Sequence, residues 1–144
     1  MSDTHLSTRD AEMYALEREM LKYPQADVPV ISSFCRGLYA RTIVIPANTL
    51  LVGAVHKEES FFIVRQGILK VTNDELGTVE LGPGFMGITK AGEKRAGFAV
   101  TEVVFTTFHA NPEEIRDEDK IWEAFTVPPP AETIEQTEAT RCLS

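Results

Sequence analysis

Two histidines and an arginine carry whatever chemistry this chain has: His56, His109 and Arg95. Four residues separate His56 from an apolar strand, in His56-Lys-Glu-Glu-Ser-Phe-Phe-Ile-Val-Arg-Gln-Gly67. Arg95 ends a glycine-punctuated segment that runs from Gly84 through Gly92, and His109 ends the apolar run from Val103. Imidazole can ligate a metal or move a proton near neutral pH. A guanidinium instead offers a planar fork of donors suited to anions. Tight metal centres need three or four protein ligands in fixed geometry. The side chains that could help His56 are His109, Glu58, Glu59 and Glu102, so any metal would rest on His56 and His109. The expectation is that no metal and no cofactor is bound. Two readings of Arg95 stay open: an internal salt bridge to Glu102, Glu59 or Glu58, or an anion site. In the second, His56, Ser60, Arg95, His109 and Glu102 line a barrel mouth that holds a small anionic ligand.

Other reactive groups offer less. Cys35 follows Phe34 and reads as a small core residue rather than a nucleophile, since no Cys-His-acid set accompanies it. No Ser-His-Asp arrangement, phosphate-binding loop or zinc spacing is present. Lys94 reads as solvated, and His5 belongs to a polar N-terminal arm.

The elements that must position these groups follow from pattern. Residues 1–26 form an arm and a helix, with Ser7 as N-cap and Met13, Leu16 and Met20 at helical spacing. Tyr23-Pro24 stops it. From residue 27 to 110 the chain is strand-like: Val28–Ile31, Phe34–Ile45, Leu50–Val55, Phe61–Val64, Ile68–Thr72, Thr78–Leu81, Phe85–Thr89, Arg95–Thr101 and Val103–His109. Gly/Pro turns at spacings of about 8–12 residues predict a barrel or sandwich. A helix over residues 111–127 is predicted from Asn111 as N-cap and Pro112 at N1. Residues 128–144 read as a Pro-rich acidic tail, free or ordered by a partner.

Composition narrows the function classes. At 144 residues the chain suits one domain with a real core. A net charge of −8 argues against nucleic-acid binding, which needs clustered cations. No apolar run reaches the roughly 20 residues of a membrane helix, and the polar start is unlike a signal peptide. Two cysteines build no disulfide framework, which fits a reducing compartment.

The glycine-punctuated order resembles the cupin motifs. Counting back from Gly67 puts Ser60 at the motif's glutamate, His56 at its second histidine and Ala54 at its first. In the second motif, running from Gly84 through Gly92, Lys90 falls at the proline, Arg95 at the histidine and Ala99 at the asparagine. The resemblance implies an all-β, cupin-like double-stranded β-helix, or jelly roll, with an N-terminal helix and a short C-terminal one. Three of the four metal-ligand positions are then Ala54, Ser60 and Arg95. The strings Tyr23-Pro-Gln25, Gly37-Leu-Tyr-Ala-Arg41, Gly53-Ala-Val-His56-Lys57 and Phe105-Thr-Thr-Phe-His109 are similar to small cupin-like proteins of tailed bacteriophages and prophages. A weaker similarity to cyclic-nucleotide-binding barrels lies in Arg95-Ala96, with Ile88 where their ribose-binding glutamate is expected.

What the resemblance implies is a non-enzymatic accessory or virion-associated protein of the host cytoplasm or virion. Its partners would be a second copy, as a dimer through edge strands, or phage structural proteins. Two alternatives stand beside it: a barrel binding an anionic ligand or nucleotide, and a metalloenzyme with atypical ligands.

Overall fold

The computed structural model describes residues 8–73, 77–128 and 142–143. Among the described residues ten strands form two five-stranded antiparallel sheets, with one helix ahead of the first strand and another between the ninth and the tenth. Helix α1 is Thr8–Met20. The strands are β1 Val30–Cys35, β2 Leu38–Ile45, β3 Thr49–Val52, β4 Ser60–Gln66, β5 Leu69–Asn73, β6 Gly77–Leu81, β7 Met86–Thr89, β8 Ala96–Ala99 and β9 Val103–Ala110. Helix α2 is Glu118–Phe125, and β10 is Cys142–Leu143. The first sheet runs β1-β2-β9-β4-β7 and the second β10-β3-β8-β5-β6. Apart from the β1-β2 and β5-β6 hairpins, consecutive strands lie in opposite sheets, as in a jelly roll.

Alternation along each strand sorts the side chains. Between the sheets lies a core of Ile45, Phe62, Val64, Leu69, Val71, Leu81, Ala99 and Val103. The opposite face of the first sheet carries Thr42 and Thr106, whose hydroxyls meet at 2.7 Å. Register places Phe61 opposite both Phe108 and Ile88, and Ile63 opposite Met86. Phe61, Phe108, Ile88 and Met86 therefore share that outer face, and all four are exposed. Ile31, opposite Thr42, extends the patch to the β1 edge.

Several expectations need correction. The run Phe34–Ile45 is two strands, because Arg36-Gly37 turns the chain with Gly37 at φ +74°. Cys35 is exposed at this hairpin tip, where the edge strand has nothing to pack over it. Asn111 does not cap a helix. Its side chain instead clasps Ile115, accepting from the backbone N–H at 3.0 Å and donating to the carbonyl at 2.9 Å. Glu114 then takes φ +54°, which no helix tolerates. The helix starts after Asp117, whose carboxylate accepts from the Lys120 N–H. On α1 the buried positions are Tyr14, Glu17 and Met20, so the docked face contains a carboxylate. Lys94 is buried as its partner, not solvated. The cap assigned to Ser7 lies outside the described residues. Within the tail, Cys142–Leu143 pairs with β3, while residues 129–141 lie outside the described set.

Candidate functional site

A cavity of about 390 Å³ opens between the sheets, and the strand register arranges its wall in rungs. Across β1, β2, β9 and β4 one rung is Val30, Ile43, Phe105 and Val64. The next is Ser32, Arg41, Thr107 and Phe62, and the one after is Phe34, Tyr39 and His109. Ser60 and Thr89 pair at the same end on β4 and β7. The wall thus grades from hydrocarbon to polar within three steps of a strand. Leu51, Leu69 and Val71 supply the facing wall from the second sheet.

At the polar end, His56 arrives from the segment after β3 and is pinned by the end of α2. Lys57 N–H donates to the Phe125 carbonyl at 2.8 Å, and Val127 N–H donates to Val55 at 2.8 Å. His56 also bridges to Thr126. These bonds hold Phe125 stacked on His109, with ring centroids 4.0 Å apart. The two imidazoles meet edge to face at 5.1 Å. His56 Nδ1 lies 3.1 Å from Ser60 Oγ, and His109 Nε2 lies 2.7 Å from Thr107 Oγ1. Arg95 Nη2 donates to Thr89 Oγ1 at 2.6 Å and its Nε stands 3.9 Å from Glu93. Arg41 lies over the Trp122 ring at 4.5 Å. The result is a polar rim running from Arg95 and Thr89 through Ser60, His56, His109 and Thr107 to Arg41.

Electrostatics at this rim disfavour a charged imidazole. Burial, then the nearby Arg41 and Arg95, lower His56 to about 4. Burial, then His56 and Arg41, lower His109 to about 3. Both rings are neutral near pH 7, each able to donate one N–H and accept at the other nitrogen. Stability then depends on pH with a definite sign. Above about 6.5, the ordinary histidine value, the folded and unfolded chains bind the same protons and the full contribution is present. As pH falls from there toward 4, only the unfolded chain takes them up, and stability is lost. The expected loss at pH 5 is on the order of 2 kcal/mol per histidine. Urea denaturation at pH 7.5 and pH 5 should show a larger drop for the native chain than for His56→Gln/His109→Gln. Equal drops would contradict the arrangement.

The rim collects most of the residues singled out from sequence and leaves one behind. His56, Arg95 and His109 line the cavity, and Ser60 braces His56 from β4. Glu102 is placed elsewhere: it is exposed, and its carboxylate accepts from Gln66 at 3.0 Å. Glu58 and Glu59 are exposed as well, so the carboxylate beside Arg95 is Glu93. Arg41 was missed, together with Thr107, Trp122 and Phe125 as wall residues. The signal for Arg41 was present: Tyr39, Arg41, Ile43 and Ile45 alternate, which puts a cation on the inward parity of an apolar strand.

This donor set does not fit a metal ion. Among the described residues no three His, Cys, Asp or Glu side chains converge. His56 and His109 each already meet a hydroxyl, and two guanidinium groups bias the site against further positive charge. Ala54 lines the cavity two residues before His56 and has nothing to donate.

No protein-family model and no curated protein matches this chain. Solved structures do. A cupin superfamily protein from Desulfitobacterium hafniense superposes at TM-score 0.50 and 10% identity, over 60% of this chain and 80% of its own. A cupin domain of an XRE family transcriptional regulator from Enterobacter cloacae gives 0.51 and 16%, over 60% and 99%. A salicylate 1,2-dioxygenase variant from Pseudoaminobacter salicylatoxidans gives 0.53 and 14%, over 76% of this chain and 35% of the enzyme. At such identities the likeness is one of fold: the chain is a cupin-like jelly roll. No described helix is long and apolar enough to cross a membrane.

Proposed function

We propose that this protein is a non-enzymatic binding barrel that takes a small organic molecule into the cavity between its sheets. The observation that carries the reading is the graded wall, apolar at Ile43, Phe105 and Leu51 and polar from Arg41 to Arg95. Ligand sites are characteristically concave, largely apolar and furnished with a few convergent polar groups. A volume near 390 Å³ falls within the usual range for such sites. The metalloenzyme alternative loses ground because its donors are missing at Ala54, Ser60 and Arg95. Fold neighbours include a regulator domain and an oxygenase, so the scaffold itself favours neither regulation nor catalysis.

Trp122 is the only tryptophan and forms part of the wall, so it reports occupancy directly. Titrating a metabolite panel should shift its emission and raise the melting temperature together. At 100 times its dissociation constant a ligand adds about 2.7 kcal/mol of stability. A panel that moves neither signal removes the reading.

A second reading keeps the protein as a phage or prophage accessory or virion-associated component, present in the host cytoplasm or the virion. It is supported by the phage-like strings around His56 and Phe105 and by the exposed apolar face bearing Phe61 and Phe108. Such a face suits another protein, whether a second copy or a phage structural partner. Mass spectrometry of purified virions tests it: absence from particles removes the virion role.

A further inference from the structure

The exposed face of the first sheet is uneven, and its relief is one-sided. Register aligns Ser33, Ala40, Phe108, Phe61 and Ile88 across β1, β2, β9, β4 and β7. The next outward row is Ile31, Thr42, Thr106, Ile63 and Met86. Large side chains thus stand on β4 and β7, where Phe61, Ile88 and Met86 are about half exposed. On β1 and β2 the middle of the same rows holds only Ser33, Ala40 and Thr42. Thr42 and Thr106 are buried although they face outward, so they floor a shallow lane between taller neighbours. Their hydroxyls bond each other, which leaves the floor with no polar demand on an occupant.

We propose that this face is the contact surface of a two-fold homodimer, in which the β4–β7 ridge of each copy fills the β1–β2 lane of the other. The proposal is independent of the cavity and of what the cavity binds. A two-fold axis along β9 reverses the strand order between facing sheets, so ridge meets lane twice and the contact closes on itself. Aligned sheets pack about 10 Å apart with their facing side chains interdigitated. The size is adequate. Five strands about 4.8 Å apart and up to eight residues long present on the order of 600 Å² in plan. Side-chain relief raises that toward the roughly 800 Å² each partner gives a standard interface. Charge also permits it. Arg65 is the one charged side chain among the outward positions of these strands, so the net charge of −8 lies outside the contact.

Sedimentation equilibrium at pH 7.5 should find twice the 16.0 kDa of one chain at tens of micromolar, dissociating on dilution. Added salt should tighten association several-fold, because it screens the like charges around the face. Phe61→Asp and Phe108→Asp should each weaken the dimer at least ten-fold. Ala40→Phe separates fitted packing from mere stickiness: it adds apolar surface yet blocks the lane. It should weaken association several-fold, and tighter association overturns the proposal. Lys70→Gln, at a surface pair with Glu80 on the second sheet, should change nothing. A native chain that stays monomeric leaves the face to a different partner and overturns the inference. Open growth beyond two copies overturns it too. Association that keeps its native strength in both aspartate variants belongs to an edge strand or another surface, which also overturns it. Should an aspartate variant fail to fold, Ala40→Phe and the native dilution series still decide.

Discussion

Lys94→Met is expected to destabilise the fold by about 3–5 kcal/mol, a large share of the stability of a domain this size. The Lys94 ammonium lies 3.1 Å from the Glu17 carboxylate, with the side chains only 4% and 3% exposed. It also stands 4.4 Å from the Tyr14 ring centroid. Methionine would fill the same space and leave the Glu17 carboxylate buried without its counter-charge. That stranded charge, more than the lost attraction, sets the size of the effect. Glu17→Leu/Lys94→Met should therefore recover most of the loss, since replacing both charges by matched apolar groups is close to neutral. Urea unfolding of the two single variants and the double variant measures the coupling. Additive effects, or a Lys94→Met cost below about 1 kcal/mol, would contradict a buried pair.

Gly67→Ala should be as damaging, for a steric reason. A Cβ at Gly67 would lie 2.0 Å from the Glu102 carbonyl oxygen and 2.8 Å from its carbon. Those are backbone atoms next to β9 and cannot swing away. The residue also sits at φ +85°, which costs an L side chain about 1–2 kcal/mol by itself. Gly84 separates the two terms, having φ +88° but nothing within 4 Å of the would-be Cβ. Gly84→Ala should cost only the dihedral term, whereas Gly67→Ala should cost at least about 4 kcal/mol or abolish soluble expression. Comparable melting temperatures for the two variants would refute the clash.

Strand periodicity and glycine spacing made the jelly roll legible, because alternation and turn chemistry are local and survive without knowledge of contacts. The rim was partly legible for the same reason. His56 and Arg95 stand where the cupin motifs place ligands, and His109 ends a strand. Arg41 was hidden because an arginine in a strand is ordinarily solvated, and only its parity with Ile43 and Ile45 betrayed it. Lys94 was read as solvated because its partner, Glu17, is 77 residues away on α1. A buried charge is legible only when both halves are seen. Glu102 was read as part of the barrel mouth, but it immediately precedes β9 whereas His109 lies near that strand's far end. The helix expected at Asn111 failed because a good cap competes with a better local use of the same amide, here the clasp on Ile115.

The exposed apolar face of the first sheet has a colloidal consequence. Phe61, Phe108, Met86 and Ile88 present an adhesive strip on a molecule that carries a net charge of −8. Near neutral pH that charge sets up mutual repulsion between copies, reaching about 10 Å in 0.1 M salt. The repulsion shrinks as salt is added and vanishes as pH nears the isoelectric point of about 4.9. Dispersal in solution is then governed by the medium as much as by the fold: dilute buffer above pH 7 keeps molecules apart, and mild acid or high salt lets the strips adhere.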